Sequence, residues 1–117
     1  MEIKNYYGRR AEEYEQIYNR DDPVRQAELN GIKKEMTLIF AGRSVLEAAC
    51  GTGHFTEVIS RSAKVITAFD FSPEVIEVAK SKNLNAYFLI DDAYEMKNIT
   101  GSFDAGCEFL ILAYTQR

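Results

Sequence analysis

Residues 45–55 read VLEAACGTGHF, and the class of fold follows from this run. A short apolar stretch ends in an acid, Glu47, and then breaks into Cys50-Gly51-Thr52-Gly53 ahead of a helix-forming segment. Gly51 and Gly53 permit positive φ and close approach of the backbone to a ligand. The helix that follows offers unpaired N–H groups and the positive end of its dipole. This is the form of a nucleotide-binding turn between a strand and a helix. Glu47 narrows the choice of ligand. A carboxylate facing the crevice repels a pyrophosphate and attracts an ammonium, so the expected ligand is a cofactor with an amino-acid end.

Outward from this turn, strands and helices alternate. Ser44–Ala48 reads as a first strand, Gly53–Arg61 as a helix, Val65–Phe69 as a second strand and Glu74–Lys82 as a helix capped by Ser72 and begun by Pro73. Ala86–Ile90 is a third strand, and Asp104–Tyr114 contains a fourth. Asp92–Gly101 has few apolar residues and suits a single turn or a loop. Strands that are continuous apolar blocks between helices predict a parallel sheet covered on both faces, with right-handed crossovers. The fold class is α/β, Rossmann-like. Two helices precede the sheet, at Ala11–Tyr18 and from Pro23 toward Phe40. Asp22 caps the second, Leu29, Ile32, Met36 and Ile39 form its apolar stripe, and Gly42 stops it.

Composition bounds the partners. The chain has 117 residues, a length typical of one domain, and 46% are hydrophobic, enough for a packed core. A net charge of −4 argues against a nucleic-acid partner held by general basicity. The longest apolar run, Phe109–Ala113, falls far short of the roughly 20 residues that span a bilayer, and MEIKNYYGRRAEEYE has no apolar signal core. No membrane partner is expected, and the expected compartment is the cytoplasm. Cys50 and Cys107 lack metal-site spacing and read as free buried thiols; no metal is expected.

The chemistry-bearing residues fall where an open α/β sheet holds its ligands, at the carboxyl ends of its strands. Asp70 ends the second strand about 20 residues beyond Gly51, where an acid can accept from both ribose hydroxyls. It also suits the acid that starts a helix. After the third strand comes Asp91-Asp92-Ala93-Tyr94, where a carboxylate can accept from an adenine amino group and a backbone N–H can donate to the ring. Two acids at a strand end also suit a solvated loop. His54 opens the helix after the glycine turn, as a packing residue or as a base near the cofactor. A dinucleotide oxidoreductase shares the strand, turn and distal acid. Here Thr56 stands in place of that fingerprint's third glycine, and Glu47 would face a pyrophosphate unfavourably.

VLEAACGTGHF, AFDFSPEVIEVA, LIDDAYEM and SFDAG together resemble the class I S-adenosylmethionine-dependent methyltransferases. The resemblance runs from about Tyr6 to Asp104. It implies S-adenosyl-L-methionine as cofactor, a small-molecule methyl acceptor as partner, and a sheet in the order 3-2-1-4 without the family's strands 5–7. Glu47 would bind the methionine end, with Ala49, Gly51 and Gly53 packed close to the cofactor. Asp70 would hold the ribose, Phe71 would lie against the adenine, and Asp92 with Ala93 would read its edge. YYGRRAEEYEQIY resembles the helical lid of small-molecule members, with Tyr14, and then Tyr6, closing over the methionine moiety. Residues 1–42 would be the lid segment and residues 43–117 the Rossmann half of one domain.

Ending near the fourth strand, the chain is expected to be a fragment or a natural short form. Its fourth strand would then be an edge beside Phe109, Leu110, Ile111 and Leu112, and a bare edge invites pairing. A homodimer with two fourth strands paired antiparallel is expected. The alternatives to catalysis are a half-domain that binds S-adenosylmethionine without transfer, and an interaction protein working through that edge.

Overall fold

The computed structural model describes residues 21–107. The expected helix at Ala11–Tyr18, with Tyr14, lies outside the described residues, as do Tyr6 and the chain from 108 onward.

Helix α1 (Pro23–Ile39) starts where the sequence predicts. Asp22 is extended, its carboxylate accepts from the Arg25 N–H at 3.1 Å, and Pro23 supplies a preset φ where no N–H is needed. Its apolar stripe differs from expectation at one end. Leu29 and Met36 are buried and Ile32 packs against them, but Ile39 is 55% exposed and Phe40 takes its place in the core. The step from 29 to 40 is about three helical turns, so Phe40 returns to the face of Leu29 and Ile39 falls short of it. Gly42, at φ +70, turns the chain, and its N–H donates to the Ser62 carbonyl at 2.8 Å, tying the exit of α1 to the end of α2 (His54–Ser60).

Strands β1 (Ser44–Ala48), β2 (Val65–Asp70), β3 (Tyr87–Ile90) and β4 (Ala105–Cys107) form one parallel sheet in the order β3-β2-β1-β4. This is the order that the resemblance implies. Glu47 lies in register with Ala68 on one side and Cys107 on the other, and Ala68 with Phe88. Helix α3 (Pro73–Ser81) begins as predicted, the Ser72 hydroxyl accepting from the Val75 N–H at 3.3 Å. Between β3 and β4 the chain makes a turn, the Met96 N–H donating to the Asp92 carbonyl at 2.8 Å, and no helix.

Among the described residues all the helices pack on one face of the sheet, where the sequence predicts cover on both. Val45 and Ile66 pack with Leu29, Met36, Phe55, Val58 and Ile59 of α1 and α2, while Ala68 and Phe88 pack with Ile76 and Ala79 of α3. By register all four strand residues share one face. Across the opposite face run Leu46, Thr67 and Tyr87, and Tyr87 is exposed. Right-handed crossovers that step steadily from β1 to β2 to β3 put every connecting helix on the same side. The direction reverses only between β3 and β4, and that connection carries no helix. Helix α1 belongs to the covered core, since Leu29, Met36 and Phe40 are buried beside Val45. Among the described residues no helix is long and apolar enough to cross a membrane.

Candidate functional site

The loops leaving β1, β2 and β3 converge because the ladder continues beyond the strands. The Cys50 N–H donates to the Phe69 carbonyl at 3.0 Å, and the Asp91 N–H to the Asp70 carbonyl at 3.1 Å. Between these loops lies a pocket of about 80 Å³ lined by Ala49, Phe69, Asp70, Phe71, Asp91 and Ala93. Closed ligand sites enclose about 300–1,000 Å³, so these residues make the floor of a site and not its roof.

Asp70 joins the turn to the next helix. Its Oδ2 accepts from the Gly51 N–H at 2.9 Å and its Oδ1 from the Ser72 N–H at 3.1 Å. A carboxylate has about four lone-pair sites, so two stay available for hydroxyl donors. Beside it Phe71 is 55% exposed and presents its ring at the pocket. An exposed ring next to a carboxylate with spare acceptor capacity fits a nucleoside, the ring against the base and the acid on the sugar.

The glycine turn works largely on its own chain. Gly51 takes φ +59 and spends its N–H on Asp70. Gly53 takes φ +87 at the start of α2, and a Cβ there would lie 3.3 Å from the Ala79 Cβ and 3.5 Å from Leu84 and Phe88. Its smallness therefore serves the packing of α2 against α3 and β3. Ala49 has φ +53, uncommon for a residue with a side chain, and its methyl lines the pocket.

Glu47 does not face the pocket as the sequence reading expects. It shares its strand face with Val45, toward the helices, is only 2% exposed, and its Oε1 accepts from the Thr56 hydroxyl of α2. Burial pushes its carboxyl up to about 7, against the Thr56 hydrogen bond, with the charge of Asp70 adding to the rise. Cys50 is buried too, and burial, with the charges of Glu47 and Asp70, pushes its thiol up, which leaves it unreactive. Both cysteines are free, Cys50 buried and Cys107 half-buried. His54 meets Phe55 edge-on, ring centroids 5.1 Å apart.

Of the two acids after β3, the structure puts Asp91 in the pocket wall and Asp92 in the turn beside it. Asp91 is 8% exposed, and its carboxylate accepts from the N–H groups of Asp92 at 2.8 Å, Lys97 at 3.1 Å and Asn98 at 2.8 Å. Burial raises its pKa, but those bonds and one from Ile99 outweigh that and hold the carboxyl below its usual range. Asp92 uses Oδ1 on the Tyr94 N–H at 2.8 Å. The pocket thus brings together Ala49, Asp70, Phe71 and Ala93 from the expected set. Glu47, Gly51, Gly53 and Asp92 are not in its lining, and Tyr14 lies outside the described residues. Sequence reasoning named Asp91 only within the doubled acid and Thr56 only in place of a third glycine, and it did not single out Phe69. The doubled acid was the only signal for Asp91; that Phe69 and Thr56 matter depends on register and on helix packing.

A family model described as a methyltransferase domain matches residues 45–117. The chain belongs to this methyltransferase family. The matched residues carry VLEAACGTGHF, AFDFSPEVIEVA, LIDDAYEM and SFDAG, motifs of class I S-adenosylmethionine-dependent methyltransferases. Among curated relatives of this family it is 35% identical over 75 residues to the ubiquinone biosynthesis O-methyltransferase of Xanthomonas oryzae pv. oryzae (strain PXO99A), covering 58% of this chain and 30% of that protein. It is 31% identical over 78 residues to the malonyl-[acyl-carrier protein] O-methyltransferase of Buchnera aphidicola, covering 67% of this chain and 32% of that one. The solved DhpI-SAH complex superposes with TM-score 0.67 at 30% identity, over 89% of this chain and 50% of DhpI. The magnesium protoporphyrin IX methyltransferase ChlM from Synechocystis PCC 6803, at 14% identity and TM-score 0.68, shares the fold. The chain thus spans about a third of the length of the two curated relatives.

Proposed function

We propose that the chain binds S-adenosyl-L-methionine across the carboxyl ends of β1–β3 and serves methyl transfer to a small-molecule acceptor. The observation that carries this reading is the pocket where Asp70, exposed Phe71 and the Asp91–Ala93 turn meet the turn after β1. The relatives support it, since two are O-methyltransferases and the DhpI structures are complexes with SAH and with SAM. In this reading Asp70 offers its spare lone pairs to the ribose hydroxyls, Phe71 covers the adenine, and Asp92 with the Ala93 N–H reads the adenine edge. Ala49, Gly51 and Gly53 shape the backbone beside it. Tyr14, in the segment before α1, closes over the methionine end. The cofactor supplies an activated methyl group on a sulfonium whose departure leaves a neutral thioether. The protein therefore needs to align the acceptor and exclude water more than to move protons.

Calorimetric titration with S-adenosylmethionine and S-adenosylhomocysteine tests binding; no affinity at millimolar ligand overturns it. Asp70→Ala is expected to weaken binding by about 1–3 kcal/mol, the range for a hydrogen-bonded charge. An affinity equal to wild type would assign Asp70 to the turn alone. A radiolabelled-methyl assay with candidate acceptors tests transfer. A homodimer joined through β4 and a cytoplasmic site of action belong to the same reading, the second in keeping with two free cysteines.

A further inference from the structure

The turn after β3 has little apolar anchorage. Residues 94–98 are exposed, Tyr94 at 96%, and Asp92 and Ala93 are half-buried. Yet Ala93 lines the pocket with Asp70 and Phe71, so the place of this turn relative to β2 shapes the site. Polar bonds hold it, and most of them converge on Asp91. The Asp91 N–H donates to the Asp70 carbonyl at the pocket floor, and the carboxylate, itself in the pocket wall, accepts from the N–H groups of Asp92, Lys97, Asn98 and Ile99. Asn98 ties the far end of the turn to the strand, its Nδ2 donating to the Ile90 carbonyl at 3.0 Å. The Lys97–Glu95 ion pair, at 3.2 Å, is exposed and adds little. Burial raises the Asp91 pKa, but the four N–H groups outweigh it, so near neutral pH the group is a carboxylate that only accepts.

We propose that Asp91 is a positioning residue for base selectivity: by closing the turn with one carboxylate it fixes where Asp92 and the Ala93 N–H stand, and so sets the preference for adenine over hypoxanthine. The proposal rests on the cofactor reading above. Adenine presents an amino donor beside a ring-nitrogen acceptor. Hypoxanthine inverts the pair, setting a carbonyl against the Asp92 carboxylate and a ring N–H against the Ala93 N–H. Such like-to-like contacts reject a ligand only if the protein groups cannot move away from them, and a turn without apolar anchors would move if its central carboxylate were lost.

S-adenosylhomocysteine and S-inosylhomocysteine differ only at this edge of the base. Both are titrated calorimetrically into the full chain as wild type, Asp91→Asn and Asn98→Ala. Asp91→Asn keeps the shape of the side chain but points an amide donor at backbone N–H groups. Wild type is expected to bind S-adenosylhomocysteine about tenfold more tightly than the inosine analogue, the worth of one matched hydrogen bond against a mismatch. In Asp91→Asn the preference is expected to fall to about twofold, mainly through weaker binding of S-adenosylhomocysteine. Asn98→Ala loosens the far end of the same turn and is read by the same criterion if Asp91→Asn does not fold. An Asp91→Asn chain with the wild-type preference, even where both affinities fall together, overturns the positioning role, because a loss of general stability moves both ligands alike. A wild type that binds both ligands equally overturns it too, the adenine edge then being unread. A wild-type chain that binds neither ligand overturns the cofactor reading and this proposal together, which is distinguishable from selective binding that Asp91 does not affect.

Discussion

At residue scale, Ala49 and Glu47 both keep conformations or environments that cost stability. Ala49 sits at φ +53, which costs a residue with a Cβ about 1–2 kcal/mol, while a glycine there would lose about 0.5–1 kcal/mol of extra unfolded-state freedom. Ala49→Gly is therefore expected to stabilise the chain by about 0.5–1 kcal/mol, read as a higher urea midpoint; a lower midpoint would show that the turn is not strained. Glu47 titrates near 7 when folded, against an ordinary value of 4.5. Between those values the native state binds more protons than the unfolded chain, so this contribution to stability is full below 4.5 and lost as pH rises through about 7. Wild type should lose on the order of 3 kcal/mol relative to Glu47→Gln across that interval, measured by urea midpoints at a series of pH values. Parallel curves for the two chains would contradict it. Asp91 has the opposite sign, its depressed carboxyl adding stability above the ordinary 3.8 and losing it as pH falls below that value. The acid character of Glu47, Asp70 and Asp91 was legible in the sequence. Which way each carboxylate points was not. Direction on a strand depends on which face the helices cover, and the Asp91 bonds depend on a turn that closes over seven following residues.

At the scale of elements, turn chemistry explains why the three described helices begin within one or two residues of where the sequence predicts. Asp22-Pro23 and Ser72-Pro73 are local signals, and each cap closes onto an N–H three residues away. Two glycines show where local chemistry stops. Gly31 lies inside α1, and a Cβ added there would meet nothing within 4 Å, so Gly31→Ala should raise stability by up to about 1 kcal/mol through helix propensity. Gly53 combines φ +87 with a contact of 3.3 Å to Ala79, so Gly53→Ala should cost about 2 kcal/mol or more. Thermal or urea unfolding of the two variants checks the contrast; equal effects would mean that α2 and α3 can move apart freely. Nothing in the residues next to Gly53 announces the approach of α3 and β3.

For the whole molecule, the sheet edge and the sheet faces raise separate questions. Strand β4 pairs with β1 over Val45–Glu47, and among the described residues its far side is an edge of the sheet, on which the proposed homodimer depends. Sedimentation of the full chain at tens of micromolar should give a dimer, and a monomer would overturn that arrangement. Alternation of apolar blocks with capped helices determined, by sequence alone, a parallel α/β sheet with the glycine turn after its first strand, because period, caps and turns act over a few residues. The strand order followed from the family resemblance carried by those motifs. The tertiary structure alone decided that α1, α2 and α3 share one face, that Phe40 replaces Ile39 in the core, that Asp91 joins Asp70 and Phe71 in one pocket, and that Glu47 turns inward to Thr56. Each depends on register and packing between residues distant in the chain, and these contacts have no counterpart in local spacing.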